Sequence, residues 1–233
     1  MKIVIIGDIH GRNNWLPLVE QNLKSADKIV FTGDYFDTYD KHVTFKQMKD
    51  VFYKIVKYKI LEPYKFVLLI GNHDIHYIHD VQKATRYDFR NATEIKKMFR
   101  ESEYLLQYAY QIKNHLFTHA GVANKWIDYN YDDLLDYDYE DIYNLGETIN
   151  LMGMNRNGIS ILNQVGRSRR GFYDIGGPLW ADVEETYKDI PDGLHQYVGH
   201  SQLKDFYKHS KGNSSITYCD VLGTIDKAMI INI

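Results

Sequence analysis

Lys2-Ile3-Val4-Ile5-Ile6-Gly7-Asp8-Ile9-His10-Gly11 joins a run of β-branched residues to a polar cluster flanked by glycines. A nearly continuous apolar run is what a strand buried on both faces requires. Gly7 and Gly11 permit a tight turn and close approach to the residues between them. The pattern recurs along the chain. Lys28–Thr32 runs into Gly33-Asp34-Tyr35-Phe36-Asp37, and Phe66–Ile70 into Gly71-Asn72-His73-Asp74. His115–Thr118 runs into His119-Ala120-Gly121, and Gln196–Val198 into Gly199-His200-Ser201. Strands that each deliver Asp, Asn or His past their carboxyl ends predict one site along a sheet edge, where open α/β sheets bind ligands.

Between these runs the spacing turns helical. Trp15, Leu16, Leu18, Val19 and Leu23 lie within Asn14–Leu23. Phe45, Met48, Phe52, Ile55, Val56 and Ile60 repeat at three and four residues, which makes one apolar stripe. Ala92–Leu106 is expected to be a third helix, with Asn91 or Thr93 as its cap. The alternation places the chain in the α/β class. Residues 1–233 are expected to form a single domain, with 122–194 a variable insertion or long-loop region that shapes the substrate side. Ser215–Tyr218 and Ala228–Ile233 are expected to be strands of a second sheet or its edge.

Composition narrows the function classes. A net charge of −3 over 233 residues implies no field-driven attraction to nucleic acid or anionic lipid. The 20 tyrosines are not interleaved with basic residues, so no nucleic-acid footprint emerges. A single cysteine, Cys219, excludes a disulfide framework and fits a reducing compartment; it is expected to be packed rather than nucleophilic. No apolar stretch approaches the ~20 residues of a membrane span. The protein is therefore expected to be soluble and cytoplasmic.

The strand-end residues make a coherent donor set. Asp8 and His10 are two apart, so in extended backbone both point the same way. Asp34 has two oxygens and can bridge two cations. Asn72 offers a neutral amide oxygen. His119 and His200 add imidazoles, which suit manganese, iron, zinc or nickel better than magnesium or calcium. His73 follows a candidate ligand but points elsewhere, as a general acid would. Asp37 is placed to orient it and keep it protonated. His76 and His79, three apart, are expected on a solvated or partly buried helix face.

Taken in order, these motifs resemble the calcineurin-like metallophosphoesterase superfamily, most closely its phosphoprotein-phosphatase branch of bacterial and bacteriophage type. The resemblance implies a four-layer αββα sandwich with two mixed sheets flanked by helices and the site at the strand ends. It implies that Asp8, His10 and Asp34 hold one metal, and that Asp34, Asn72, His119 and His200 hold the second. It implies two divalent transition-metal ions, manganese first, with iron, zinc or nickel as alternatives. His73 would be the general acid and Asp37 its partner. The implied reaction is hydrolysis of phosphomonoesters by a metal-activated water. The phosphorylated substrate is a protein or, in the alternative, a nucleotide or dinucleoside polyphosphate. A non-catalytic binding scaffold on the same fold is the remaining alternative, disfavoured because every expected ligand is present.

Three positions depart from the family pattern. Thr38 stands where the protein phosphatases carry a phosphate-gripping arginine. Asp74 replaces the usual glutamate. Gln202 stands where many members have a further metal histidine. Arg167, Arg169 and Arg170 are the candidates to bind phosphate in place of the missing arginine, since a guanidinium grips two oxygens at once. Leu179-Trp180-Ala181-Asp182 resembles the family's segment before the last ligand histidine, and Arg170-Gly171 resembles the Arg-Gly that precedes it in phage-type relatives. Arg12 is a weaker candidate.

Overall fold

The computed structural model describes residues 1–233. The first sheet holds β1 (Lys2–Ile6), β2 (Lys28–Phe31), β3 (Phe66–Leu69) and β4 (Leu106–Gln107) in parallel. The last strand, β10 (Met229–Asn232), runs antiparallel beside β1. The second sheet is built from β5 (Ala109–Ile112), β6 (His115–Thr118), β7 (His195–Val198), β8 (Tyr207–Lys211) and β9 (Ser214–Tyr218). Its order is β5-β6-β7-β9-β8, with the three central strands parallel and the outer two antiparallel. The strands that carry the motifs therefore divide between two sheets instead of lining one.

Alternation along each strand explains the continuous apolar runs. Ile3 and Ile5 face inward with Val30, Val67 and Leu69, and meet Phe117, Tyr197 and Cys219 of the second sheet. Val4 and Ile6 face outward into the helical layer. That layer is α1 (Trp15–Asn22), α2 (Phe45–Leu61) and α4 (Ala92–Ser102), while α3 (Asn72–Ile78) sits at the strand ends. Thr44 caps α2 by accepting from the Gln47 amide at 3.2 Å. Most of the predicted stripe is the buried face, through Met48, Phe52, Ile55 and Val56, whereas Ile60 near the helix end is exposed. Burial of Phe52 and Ile55 contributes about 2 kcal/mol each. The layer order is helix, sheet, sheet, helix, as the resemblance implies.

Three expectations need correction. Ala228–Ile233 does not join the second sheet: its strand β10 pairs with β1 at the edge of the first. Ala92–Leu106 is not one helix: it ends at Ser102, passes through a 3₁₀ turn at Glu103–Leu105, and delivers Leu106 to β4. The segment 122–194 is not one long loop. It forms α5 (Asn124–Tyr129), α6 (Tyr131–Leu135), α7 (Leu145–Met152), α8 (Arg156–Leu162) and α9 (Val183–Thr186). Trp126, Leu134, Ile149 and Leu162 from these helices pack with Leu116 on the outer face of the second sheet. The helices are too short to show a clear period, and Asn, Asp and Gly break them apart. No helix is long and apolar enough to cross a membrane.

Candidate active site

The motif strands end together, and the chain turns sharply there. His10, Asp34, Asp37 and His200 have φ of 44°, 54°, 56° and 62°. The left-handed conformation costs a non-glycine residue roughly 1–2 kcal/mol, and such strain gathers at functional sites. Asp8 and His10 thus share a direction through a left-handed turn, not through extended backbone as expected. Asn72 and His73 likewise diverge because they open helix α3, where successive side chains rotate about 100°. Gly71 is required by closeness: a Cβ there would lie 2.1 Å from Asp34 Oδ1.

Asp74 fixes two of these turns to each other. Its carboxylate accepts from the amides of Asp34 (2.7 Å), Tyr35 (2.9 Å) and Gly71 (2.8 Å). The side chain is fully buried. The departure from glutamate therefore retains a clear structural task.

Donor atoms converge in two groups that share Asp34. His119 donates from Nδ1 to the Thr32 carbonyl at 2.8 Å, which leaves Nε2 as a lone pair. That Nε2 lies 2.8 Å from Asn72 Oδ1 and 3.1 Å from His200 Nδ1. His10 donates from Nδ1 to the Phe36 carbonyl at 2.9 Å, so its Nε2 is also an acceptor. Asp34 Oδ2 lies 3.6 Å from His10 Nε2 and 3.6 Å from His119 Nε2. Two donors at ~2.1 Å from one ion stand roughly 3.0–3.6 Å apart. Acceptors crowded at this spacing with few protons among them suit cations. Asp8, Asp34 and His119 also offer atoms within 4.8 Å of one another. Asp8 is held from behind, accepting from Thr32 Oγ1 at 2.8 Å and from the His200 amide at 2.9 Å.

Burial shapes the charges. It lowers His10 to about 4 and also lowers His119 and His200, which favours the lone-pair form of each imidazole. For Asp34, burial alone would raise the carboxyl, but His119, His73 and His10 outweigh it and hold it below the usual carboxylate range. Asp8 is pushed up by burial and by the nearby Asp220 and Asp34 carboxylates. A cation removes that repulsion.

His73 lies beside this group. Its Nδ1 donates to Asp37 Oδ2 at 3.0 Å, and its Nε2 meets the Tyr39 hydroxyl at 3.2 Å. Burial pulls His73 down, yet Asp34 and Asp37 more than offset it and raise it above its ordinary value. Asp37 also accepts from the Tyr77 hydroxyl at 2.5 Å. His76 Nε2 stands 2.9 Å from Asp37 Oδ2, outside the alignment of a hydrogen bond. His76 is therefore not on a solvated face: it is buried against the carboxylate that orients His73.

The arginines separate. Arg169 and Arg170 line the cleft with Arg12, His10, Asp34 and Asn72, and Arg167 does not. Arg167 instead pairs with Asp174 at 3.1 Å on the exposed surface. Arg169 is braced by Asp182 at 2.7 Å and Ser201 at 2.6 Å. Arg170 turns into the cleft from a left-handed residue, φ 65°. Asp220 and Tyr39 also line the cleft and were not singled out in the sequence. Asp220 follows β9 as Asp8 follows β1, and that repetition was the available signal. Cys219 is fully buried, as expected.

The family model of the calcineurin-like phosphoesterases matches residues 1–211. The chain belongs to that family, and it is a phosphate ester hydrolase. The family implies a dinuclear divalent metal site, which the donor set above fits. The cold-active protein-tyrosine phosphatase of a psychrophilic Shewanella species is 17% identical over 92% of this chain and 70% of its own, with a TM-score of 0.56. A Saccharomyces cerevisiae protein serine/threonine phosphatase is 19% identical over 94% of this chain and 67% of its own, with a TM-score of 0.52. These likenesses establish the shared fold. No curated protein is significantly similar in sequence.

Proposed function

We propose that the protein is a phosphatase that hydrolyses phosphomonoesters of proteins with two manganese ions. The observation that carries this reading is the position of Asp34 Oδ2, 3.6 Å from both His10 Nε2 and His119 Nε2. A carboxylate oxygen so placed can serve two cations. Asp8, His10 and Asp34 would hold the first; Asp34, Asn72, His119 and His200 would hold the second. When bound, such a pair makes water a nucleophile near neutral pH and draws charge from phosphoryl oxygens.

The chain's own groups do the rest. Arg169, held by Asp182 and Ser201, presents a fixed guanidinium to the phosphoryl oxygens. Arg170 adds a second cation from the same wall. Together they supply the charge that Thr38 does not. His73 gives its Nε2 proton to the leaving oxygen, while Asp37 keeps the ring oriented through Nδ1. The water attacks phosphorus, the ester P–O bond breaks, and alcohol and phosphate leave without a phosphoenzyme.

A second reading rests on a pocket of about 300 Å³ that opens from the cleft, sharing Thr85, Arg169, Arg170 and Trp180 with it. Lys83, Phe172 and Tyr173 line its far side. An aromatic and cationic wall suits a nucleoside carrying further phosphates. Turnover by manganese-loaded enzyme should be measured on phosphopeptides, nucleotides and dinucleoside polyphosphates. Preference for phosphopeptides supports the first reading, and preference for dinucleoside polyphosphates supports the second. Undiminished turnover after exhaustive chelation would remove both.

A further inference from the structure

Asp220 has no assigned role, and its surroundings are unusual for a carboxylate. It is 3% exposed, and its Oδ1 has no hydrogen-bond partner. A buried carboxylate oxygen without a donor is unfavourable. Burial pushes Asp220 up, outweighing the Arg12 charge and the Asp8 amide that favour the carboxylate. Neither of these gives Oδ1 a hydrogen bond: Arg12 Nη1 is engaged with the Asp8 carbonyl at 3.1 Å. The backbone makes room for this arrangement. A Cβ on Gly7 would stand 2.9 Å from Asp220 Cα and 3.1 Å from Asp220 Oδ1. A Cβ on Gly223 would strike Gln202 at 1.7 Å and crowd Arg12 at 3.1 Å. Two glycines thus allow Asp220, Gln202 and Arg12 to wall the cleft at the Asp8–His10 end.

We propose that Asp220 belongs to the binding site of the first cation, where its unpaired Oδ1 serves as an additional acceptor for the cation and its surrounding water. The inference rests on the dimetal reading given above. Gln202 occupies the place of a further metal histidine and carries no charge, so the first position has fewer strong donors than the second. A third carboxylate restores negative charge there. In return, a cation or its water gives Oδ1 the partner that the protein withholds. Asp220 is a positioning residue and does not touch the phosphoryl group.

The test is Mn²⁺ binding by the full chain, followed by titration calorimetry and by the electron paramagnetic resonance of the coupled manganese pair. Asp220→Asn removes the charge at constant shape, and Asp220→Ala removes the acceptor. Asp205→Asn serves as control, because Asp205 is exposed, away from the cleft, and engages only Lys227 and the Phe206 amide. Wild type should bind two ions. Both Asp220 variants should weaken one of them by at least about tenfold, the range typical of residues around a metal's ligands. The other ion should be unaffected, and the coupled-pair signal should fade. The metal-free variants should melt no lower than metal-free wild type, because an unpaired buried charge has been removed. Two tightly bound ions in both variants would overturn the inference and leave the dimetal reading intact. A lowered metal-free melting temperature with unchanged binding would show a packing role and also overturn it. Wild type that binds fewer than two ions would overturn both.

Discussion

His73 and Asp74 are chain neighbours with opposite duties, and each makes a sharp prediction. His73 faces the cleft, so His73→Asn should keep both manganese ions while kcat falls by about 10²–10⁴, the usual contribution of a general acid. The loss should be greater on alkyl phosphates than on p-nitrophenyl phosphate, whose leaving group needs no proton. Equal losses on the two substrates would count against the acid role. Asp74 faces the backbone and satisfies three amides. Asp74→Ala strands those donors at about 1–3 kcal/mol each. Urea denaturation should show a loss of at least ~3 kcal/mol, and a loss under 1 would refute the assignment. The polar strand ends were readable in the sequence because Asp, Asn and His directly after apolar strands stand out from the usual pattern, and the structure brings those side chains close together. His76 was not, because a three-residue spacing says nothing about what the helix faces. Asp220 was not, because no histidine or glycine flanks it as in the other strand-end motifs.

At the scale of elements, strands were the most legible part. Their runs are apolar on both faces, and only buried parallel strands need that. The junction from α4 to β4 was obscured because Glu103–Leu105 continues a helical pattern while Leu106 pairs with Leu68. The central pair of the second sheet carries a pH prediction. His115 and His195 are register partners on β6 and β7, with rings 5.0 Å apart. Burial lowers both, and for His115 the charges of His195, Lys208 and Lys113 act in the same direction. A histidine lowered in the folded state favours its neutral form. Its contribution is fully present above the ordinary value of ~6.5 and is lost as pH falls below it. The melting temperature should drop between about pH 7 and pH 5.5, and His115→Asn should flatten that drop. An equally steep drop in the variant would place the cause elsewhere.

For the whole molecule, the site is assembled from distant parts of the chain. The His200 amide donates to Asp8 across 192 residues, and Asn72 meets His200 across 128. The sequence disclosed the members of this set but not their division between sheets. That division depends on which strands pair, and local pattern does not encode pairing. Since the unfolded chain offers no such cluster, Mn²⁺ should stabilise only the folded state. At a hundredfold excess over Kd, each site should add about 2.7 kcal/mol. Calorimetry should show a higher melting temperature with manganese that EDTA reverses, and identical curves would refute a folded-state site.

The meeting of the two sheets has a consequence for how such a site can be tuned. Asp8, His10, Asp34 and Asn72 hang from one sheet, and His119 and His200 from the other. The gap between the two halves is set by the thickness of the seam where Ile5, Val30 and Leu69 press on Phe117 and Tyr197. Interior packing is close, and a single methylene is felt. Trimming Phe117 would thus shift the halves like the jaws of a calliper, altering the span between the two groups of donor atoms with every candidate ligand left in place.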